Sequence, residues 1–518
     1  MNRRTVLRLL AGTIAGSPLL GGPAIAQDIV VETRAGKWRG RVDNGIHIFR
    51  GIRYGADTSS RRFLPPAPPA PWTGVRDALE FGPVAPQPSS GGRPIGEDCL
   101  HLNVWTPGLR DNAKRPVMVW FHGGAYSSGT SNEIETDGQR LSRRGDVVVV
   151  TVNHRLNAFG YLYLAEFGGP ELADSGNAGQ LDLILALQWV CDNIAEFGGN
   201  PDNVTIFGHS GGGAKSATLM AMPAARGLFH RVATHSGQQI TASRTATATT
   251  NARALLSALG LEPGRVNDLR RLPMEQLVKV SRAPAYLGPV KDGRSLPRDP
   301  FDPDAPPQSA HIPMLLGNTH DETRTLIGRG DASLFALTWD TLLPALQQNS
   351  PFMGPLDRAD VIAAYRRWHP QYSPADVLFA ATTDSRSWRG QVIEADRRAA
   401  QGRNTWVFQF DWPTPVDGGK WKAHHGLDVP FIFDNAAITP QFVGAGAEQL
   451  ELAAKMSEAW IAFARTGNPN VKGMPEWPVF DLRRRATMVF DRETRVVEDP
   501  RGDERRLFGQ VPYVQPGT

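Results

Sequence analysis

Residues 205–213 read Thr-Ile-Phe-Gly-His-Ser-Gly-Gly-Gly, and the serine at the centre constrains this chain more than any other residue. A β-prone run, Asn203 to Phe207, leads into Gly208-His209-Ser210-Gly211-Gly212, and a helix-compatible run from Ala214 to Met222 follows. Strand, Gly-x-Ser-x-Gly, helix is the setting in which a serine sits on a sharp turn with its hydroxyl clear of the sheet. The turn leaves room only for small flanking residues, and glycine accepts its dihedrals. Ser210 is therefore a candidate nucleophile, with the N–H of Gly211 turned toward the carbonyl it attacks. In a chain with 53 glycines the motif alone arises readily by chance, so the rest of the sequence has to decide.

A second motif supplies what such a serine needs. Residues 117–121, Val-Met-Val-Trp-Phe, read as a buried strand, and His122-Gly123-Gly124-Ala125-Tyr126 follows at once. A run of small residues there can aim the N–H groups of Gly124 and Ala125 at a developing oxyanion. A serine hydroxyl also needs a base. His425 is the candidate, on a loop just past the strand-like run Thr405 to Phe410. The acid that orients it follows another apolar run, 313–317, within Asn318-Thr319-His320-Asp321-Glu322. Glu322 is the expected orienter and its neighbour Asp321 the alternative. The order serine, acid, histidine differs from that of chymotrypsin and subtilisin. His424, His425 and Asp428 cluster too closely on one loop for a tetrahedral metal site, so no metal is expected there.

At this point the chain resembles the type B carboxylesterases, the family of para-nitrobenzyl esterases and cholinesterases. The resemblance rests on ordered motifs: Phe-Arg-Gly-Ile-Arg-Tyr (49–54), Glu-Asp-Cys-Leu-His-Leu-Asn-Val-Trp-Thr-Pro (97–107) and Trp-Phe-His-Gly-Gly-Ala-Tyr (120–126). Further matches are Gly-Asn-Ala-Gly-Gln-Leu-Asp (176–182), Ala-His-His-Gly-Leu-Asp-Val-Pro-Phe (423–431) and Phe-Ala-Arg-Thr-Gly-Asn-Pro (463–469). It implies an α/β-hydrolase fold: a large, mostly parallel central sheet flanked by helices, with helical insertions over the active site. It also implies a triad of Ser210, Glu322 and His425, an oxyanion hole of Gly124, Ala125 and Gly211, no cofactor, and a small-molecule ester as substrate. The same triad serves amide, carbamate or polyester bonds, and the fold also occurs in non-catalytic binding proteins, which typically lose the nucleophile. One departure stands beside the nucleophile, where the family's usual glutamate is His209.

The 518 residues are 41% hydrophobic and 21% charged, which suits a globular enzyme, and the motifs run through residues 27–518 as one expected domain. Residues 1–26 are expected to be a signal peptide. Arg3-Arg4 precedes an apolar stretch broken by Gly and Pro, and Ala24-Ile25-Ala26 fits a small-x-small cleavage site. The twin arginines favour the Tat route over Sec, hence a periplasmic or secreted protein. Losing Arg3, Arg4 and Arg8 takes the net charge from +4 to +1, so nothing points to nucleic acid. No other stretch reaches the about 18 apolar residues of a membrane span. Cys99 and Cys191 are expected to be reduced and mostly buried. Two cysteines in an exported protein would invite a disulfide; it is the resemblance that implies the reduced state, since the family's partner position for Cys99 holds Ala85. Residues 251–281 and 331–400 are expected to be helical insertions that roof the site.

Overall fold

The computed structural model describes residues 29–518 except 403, 516 and 518, so the expected signal peptide lies outside the described residues. Strands of β-branched and aromatic residues build the centre of the sheet. They are β1 (His101–Thr106), β2 (Arg115–Phe121), β3 (Val148–Val152), β4 (Gly199–His209), β5 (Arg231–His235), β6 (Met314–Thr319), β7 (Thr405–Phe410) and β8 (Ala486–Phe490). Their spatial order is β1-β3-β2-β4-β5-β6-β7-β8, with β1 antiparallel to β3 and the rest parallel. Antiparallel strands extend both edges, and a short strand, Val75–Asp77, pairs in parallel beyond one of them, giving thirteen strands in all among the described residues.

Parallel strands are covered on both faces, so alternate side chains enter two different cores. Val117, Val119, Phe121, Val204, Ile206, Val232 and Leu316 point to one face and pack with Leu183, Leu187 and Val190 of α1 (Ala178–Asn193) and Leu219 of α2 (Gly211–Leu219). Met118, Trp120, Phe207, Ala233, Leu315 and Phe408 point to the other. They meet a long helix, Ala447–Thr466, through Met456, Trp460 and Phe463. Removing a side chain as large as Trp460 from such a core costs about 3–5 kcal/mol. Trp460 also donates from Nε1 to His235 Nε2 at 2.8 Å, tying this helix to the end of β5 beside the nucleophile turn.

Local chemistry sets the boundaries. Helix α1 stops at Asn193, tightens into a 3-10 turn at Ile194–Phe197, and is closed by Gly198 at φ 71°. The elbow helix starts at Gly211, directly after the serine. One expectation fails. Cys99 is buried, but Cys191 is exposed. Trp189 and Val190 take the core-facing side of α1, which turns Cys191 and Asp192 outward, where Asp192 pairs with Arg34 at 3.0 Å.

The chain between β6 and β7 forms a helical wall with its own apolar core, including Leu342, Leu346, Val361, Tyr365, Leu378 and Phe379. Within it, α3 (Pro374–Thr383) passes through a π-helical turn, Asp384–Trp388, into α4 (Arg389–Ala400). Asp384 accepts from Tyr365 Oη at 2.6 Å and pairs with Arg501, which anchors the π turn.

Candidate active site

The register of the parallel strands brings the candidate residues to one edge of the sheet. Phe121 lies beside Gly208, His209 beside His235, and Thr319 beside Phe410, so the loops after β2, β4, β6 and β7 emerge together at the C-terminal ends. That edge is where α/β sheets hold ligands.

Ser210 has φ 55° and ψ −124°, a conformation L-residues rarely adopt, and its N–H donates to the His235 carbonyl at 2.7 Å. The flanking glycines make the turn possible. A Cβ on Gly212 would run into the Phe121 carbonyl, and one on Gly208 into the Gly212 backbone. The hydroxyl is thereby held at the start of α2, where the Gly211 N–H has no partner within the helix and carries the positive end of its dipole.

Gly124 and Ala125 also have left-handed φ, 86° and 51°. Their loop is braced from three sides. Ser128 N–H donates to the Gly124 carbonyl at 3.0 Å, Asn157 N–H to the Tyr126 carbonyl at 2.6 Å, and Lys215 Nζ to the His122 carbonyl at 3.2 Å. Among the described residues, no protein acceptor takes the N–H of Gly124 or Ala125.

Glu322 is fully buried and accepts from His425 Nδ1 through Oε2, while Oε1 takes the Thr319 N–H at 3.0 Å and Asn318 Nδ2 at 3.2 Å. Burial pushes the carboxyl up, but the His425 charge and hydrogen bond, with donors from Ser236 and Asn318, outweigh it and hold Glu322 below its ordinary range. Asp321 turns elsewhere, to His320 Nδ1 at 3.0 Å and Arg324 Nε at 3.2 Å. The structure thus brings Glu322 and His425 together and leaves Ser210 Oγ without a hydrogen bond to His425.

Next to the serine, the ring of His209 packs on His425 with centroids 4.3 Å apart. Burial, and then repulsion from His425, His235 and His424, keeps His209 well below its ordinary value, hence neutral. The space comes from Gly426, at φ 85°, whose Cβ would stand 3.1 Å from the His209 ring. His424 Nδ1 lies 3.0 Å from the His425 carbonyl, and among the described residues no group of three or more His, Cys, Asp or Glu is placed to hold a metal. Asp428 is buried beside this loop. Burial and the Glu322 charge push its carboxyl up to about 8, so it is a neutral acid at pH 7.

Two cavities flank the nucleophile turn, one lined by Ser210 and the other by its neighbour His209. One, of about 250 Å³, contains Ser210, Gly211, Ala125, Ser236, Gln239 and Arg386. The other, of about 270 Å³, contains His425, His209, Trp120, Glu133, Glu135 and Arg329. Sequence reading passed over Lys215 and Arg386. Lys215 lies within an apolar helix pattern, and nothing local marks Arg386 as reaching the cavity.

Comparison with known proteins places the chain in a family. The model of the carboxylesterase family matches residues 27–507. The para-nitrobenzyl esterase of Bacillus subtilis (strain 168) is 35% identical over 500 residues, 92% of this chain and 98% of the relative. The crystal structure of the Geobacillus stearothermophilus carboxylesterase EST55 superposes with a TM-score of 0.83 at 39% identity, covering 92% of this chain and 99% of that one. An esterase from Clostridium hathewayi, described as able to hydrolyze aliphatic aromatic polyesters, gives a TM-score of 0.78 at 36% identity over 94% and 99% of the two chains. This chain belongs to the carboxylesterase family and is a carboxylic ester hydrolase of the α/β-hydrolase fold.

Proposed function

We propose that the protein cleaves small carboxylic esters through an acyl-enzyme on Ser210. His425 Nε2 takes the proton of Ser210 Oγ as the oxygen attacks the ester carbonyl, and the Ser210–His425 hydrogen bond closes when substrate binds. The carbonyl oxygen becomes an oxyanion among the N–H groups of Gly124, Ala125 and Gly211. His425 then protonates the leaving alcohol, and a water activated by the same ring releases the acid. Glu322 keeps the proton of the neutral ring on Nδ1 and stabilises the imidazolium. The observation that carries this reading is the buried Glu322 accepting from His425 Nδ1 at the same sheet edge as the strained Ser210. No step calls for a cofactor.

The test is turnover of a para-nitrophenyl ester panel together with a phosphonate probe. Wild type should take up one label on Ser210, and Ser210→Ala should lose both label and turnover. Labelling that persists in Ser210→Ala refutes the assignment. Amide, carbamate and polyester substrates belong in the panel, because the same acyl-enzyme chemistry serves them.

We also propose that residues 27–518 act as one exported domain behind a signal segment at 1–26. The support is the Arg3-Arg4 pair before an apolar run and the Ala24-Ile25-Ala26 site. Arg3→Lys with Arg4→Lys should strand the precursor in the cytoplasm, and undiminished export of that variant would point to Sec.

A further inference from the structure

Resting on the acyl-enzyme reading above, the two cavities have different occupants. His425 must protonate the departing alcohol, so the alcohol lies in the His425 cavity. The cavity holding Ser210 and Ala125 without His425 then receives the acyl group.

That acyl cavity carries a single formal charge. Among the described residues its lining contains no Asp, Glu, Lys or His, and Arg386 is its one cation. Among the described residues, no carboxylate lies within ion-pair distance of Arg386. Its polar side-chain contact is Nη1 to Ser387 Oγ at 2.9 Å, with the guanidinium 5.6 Å from the Phe352 ring. Other polar side chains of the lining are engaged with the protein. Gln239 Oε1 accepts from Tyr126 Oη at 2.7 Å, Gln239 Nε2 donates to the Thr241 carbonyl at 2.7 Å, and Gln238 Nε2 donates to Asn318 Oδ1 at 3.3 Å.

Neighbouring acids do not neutralise Arg386. Asp384 is held by Tyr365 and Arg501. Glu394, which accepts the Gln239 N–H at 2.8 Å, is pushed up to about 8 by burial and is neutral at pH 7. Arg386 and Ser387 both lie within the π turn and line the cavity, and π turns recur at functional sites.

We propose that Arg386 is a specificity-determining residue that selects esters whose acyl chain ends in a carboxylate, that is, half-esters of dicarboxylic acids. A guanidinium offers a planar pair of donors to a carboxylate, and among the described residues no protein anion competes for this one.

The experiment compares 4-nitrophenyl hydrogen adipate with its neutral isostere, 4-nitrophenyl 6-methylheptanoate, after subtraction of spontaneous hydrolysis. Wild type should give a kcat/KM for the adipate at least equal to that for the isostere, and a lower value overturns the proposal. In Arg386→Met the adipate-to-isostere ratio should fall by about 10- to 100-fold, the worth of a charge-assisted contact, with Arg386→Lys in between. A fall in Arg386→Met of less than about tenfold also overturns it. Binding of the intact half-ester to Ser210→Ala, with and without Arg386→Met, gives a readout free of turnover. The Kd should rise by about tenfold or more, and an unchanged Kd refutes the assignment. Turnover of the isostere by wild type separately tests the acyl-enzyme reading, so the two failures are distinct.

Discussion

Replacing Lys215 by methionine should make the protein more stable in acid and at neutrality, and the gain should fade as the pH rises. Lys215 is fully buried on α2, beneath the oxyanion loop, with the Tyr126 ring 5.6 Å away and no carboxylate partner among the described residues. Burial lowers its pKa from 10.5 to about 7. The folded state therefore favours the neutral amine. Below pH 7 the lysine is charged in both folded and unfolded chains, and the penalty on folding is full. Between pH 7 and 10.5 the unfolded chain still binds the proton while the folded one has lost it, so stability rises. Above 10.5 the penalty is gone. The span from 10.5 to about 7 amounts to about 5 kcal/mol at ~1.4 kcal/mol per pH unit, as an upper bound. Methionine removes this penalty and also the hydrogen bond to the His122 carbonyl, worth about 1–3 kcal/mol. A net gain of about 2–4 kcal/mol is expected at pH 6. By pH 9 only about 2 kcal/mol of the penalty remains, and the two effects nearly cancel. Equilibrium urea midpoints of both proteins at pH 6 and pH 9, converted with a common slope, measure this. Lys215→Met less stable than wild type by the same amount at both pH values would show that no buried charge is relieved. The same variant should lose ester kcat more than it changes KM, because the His122 carbonyl anchors the loop that carries Gly124 and Ala125.

Three further outcomes are expected. Glu322→Gln should lower kcat by about 10²–10⁴-fold, because an amide cannot hold the proton of His425 on Nδ1 or stabilise the imidazolium; single-turnover rates check this, and a loss under about tenfold contradicts the role. His209→Glu would set a carboxylate against the His425 ring, where it stabilises the imidazolium formed in the transition state, and should raise ester kcat by roughly two- to tenfold; an unchanged kcat would show that the two positions are not coupled. Iodoacetamide should add one label to the native protein, at the exposed Cys191, and a second at Cys99 only after denaturation, read by intact mass.

Much of the architecture was legible along the chain because it is written in local patterns. Apolar runs such as 117–121 and 405–410 announce buried parallel strands, and Gly208, Ser210 and Gly212 can sit together only on a turn that tolerates no Cβ at its flanks. Residues 122–126 and 424–425 follow such strands, so the sequence alone proposed which loops share the sheet's C-terminal edge. It left Glu322 and Asp321 as neighbours on one turn. Tertiary packing separated them, burying Glu322 against His425 and giving Asp321 to His320 and Arg324. Only the fold placed Cys191 outward, since the helix has two sides and periodicity does not say how closely its rim is covered. Only the fold, too, buried the Lys215 amine and brought Arg386 into the cavity of Ser210. Charge in solution is a property of a residue type, but burial, partners and a cavity shared with residues 176 positions away come from long-range packing that no local window contains.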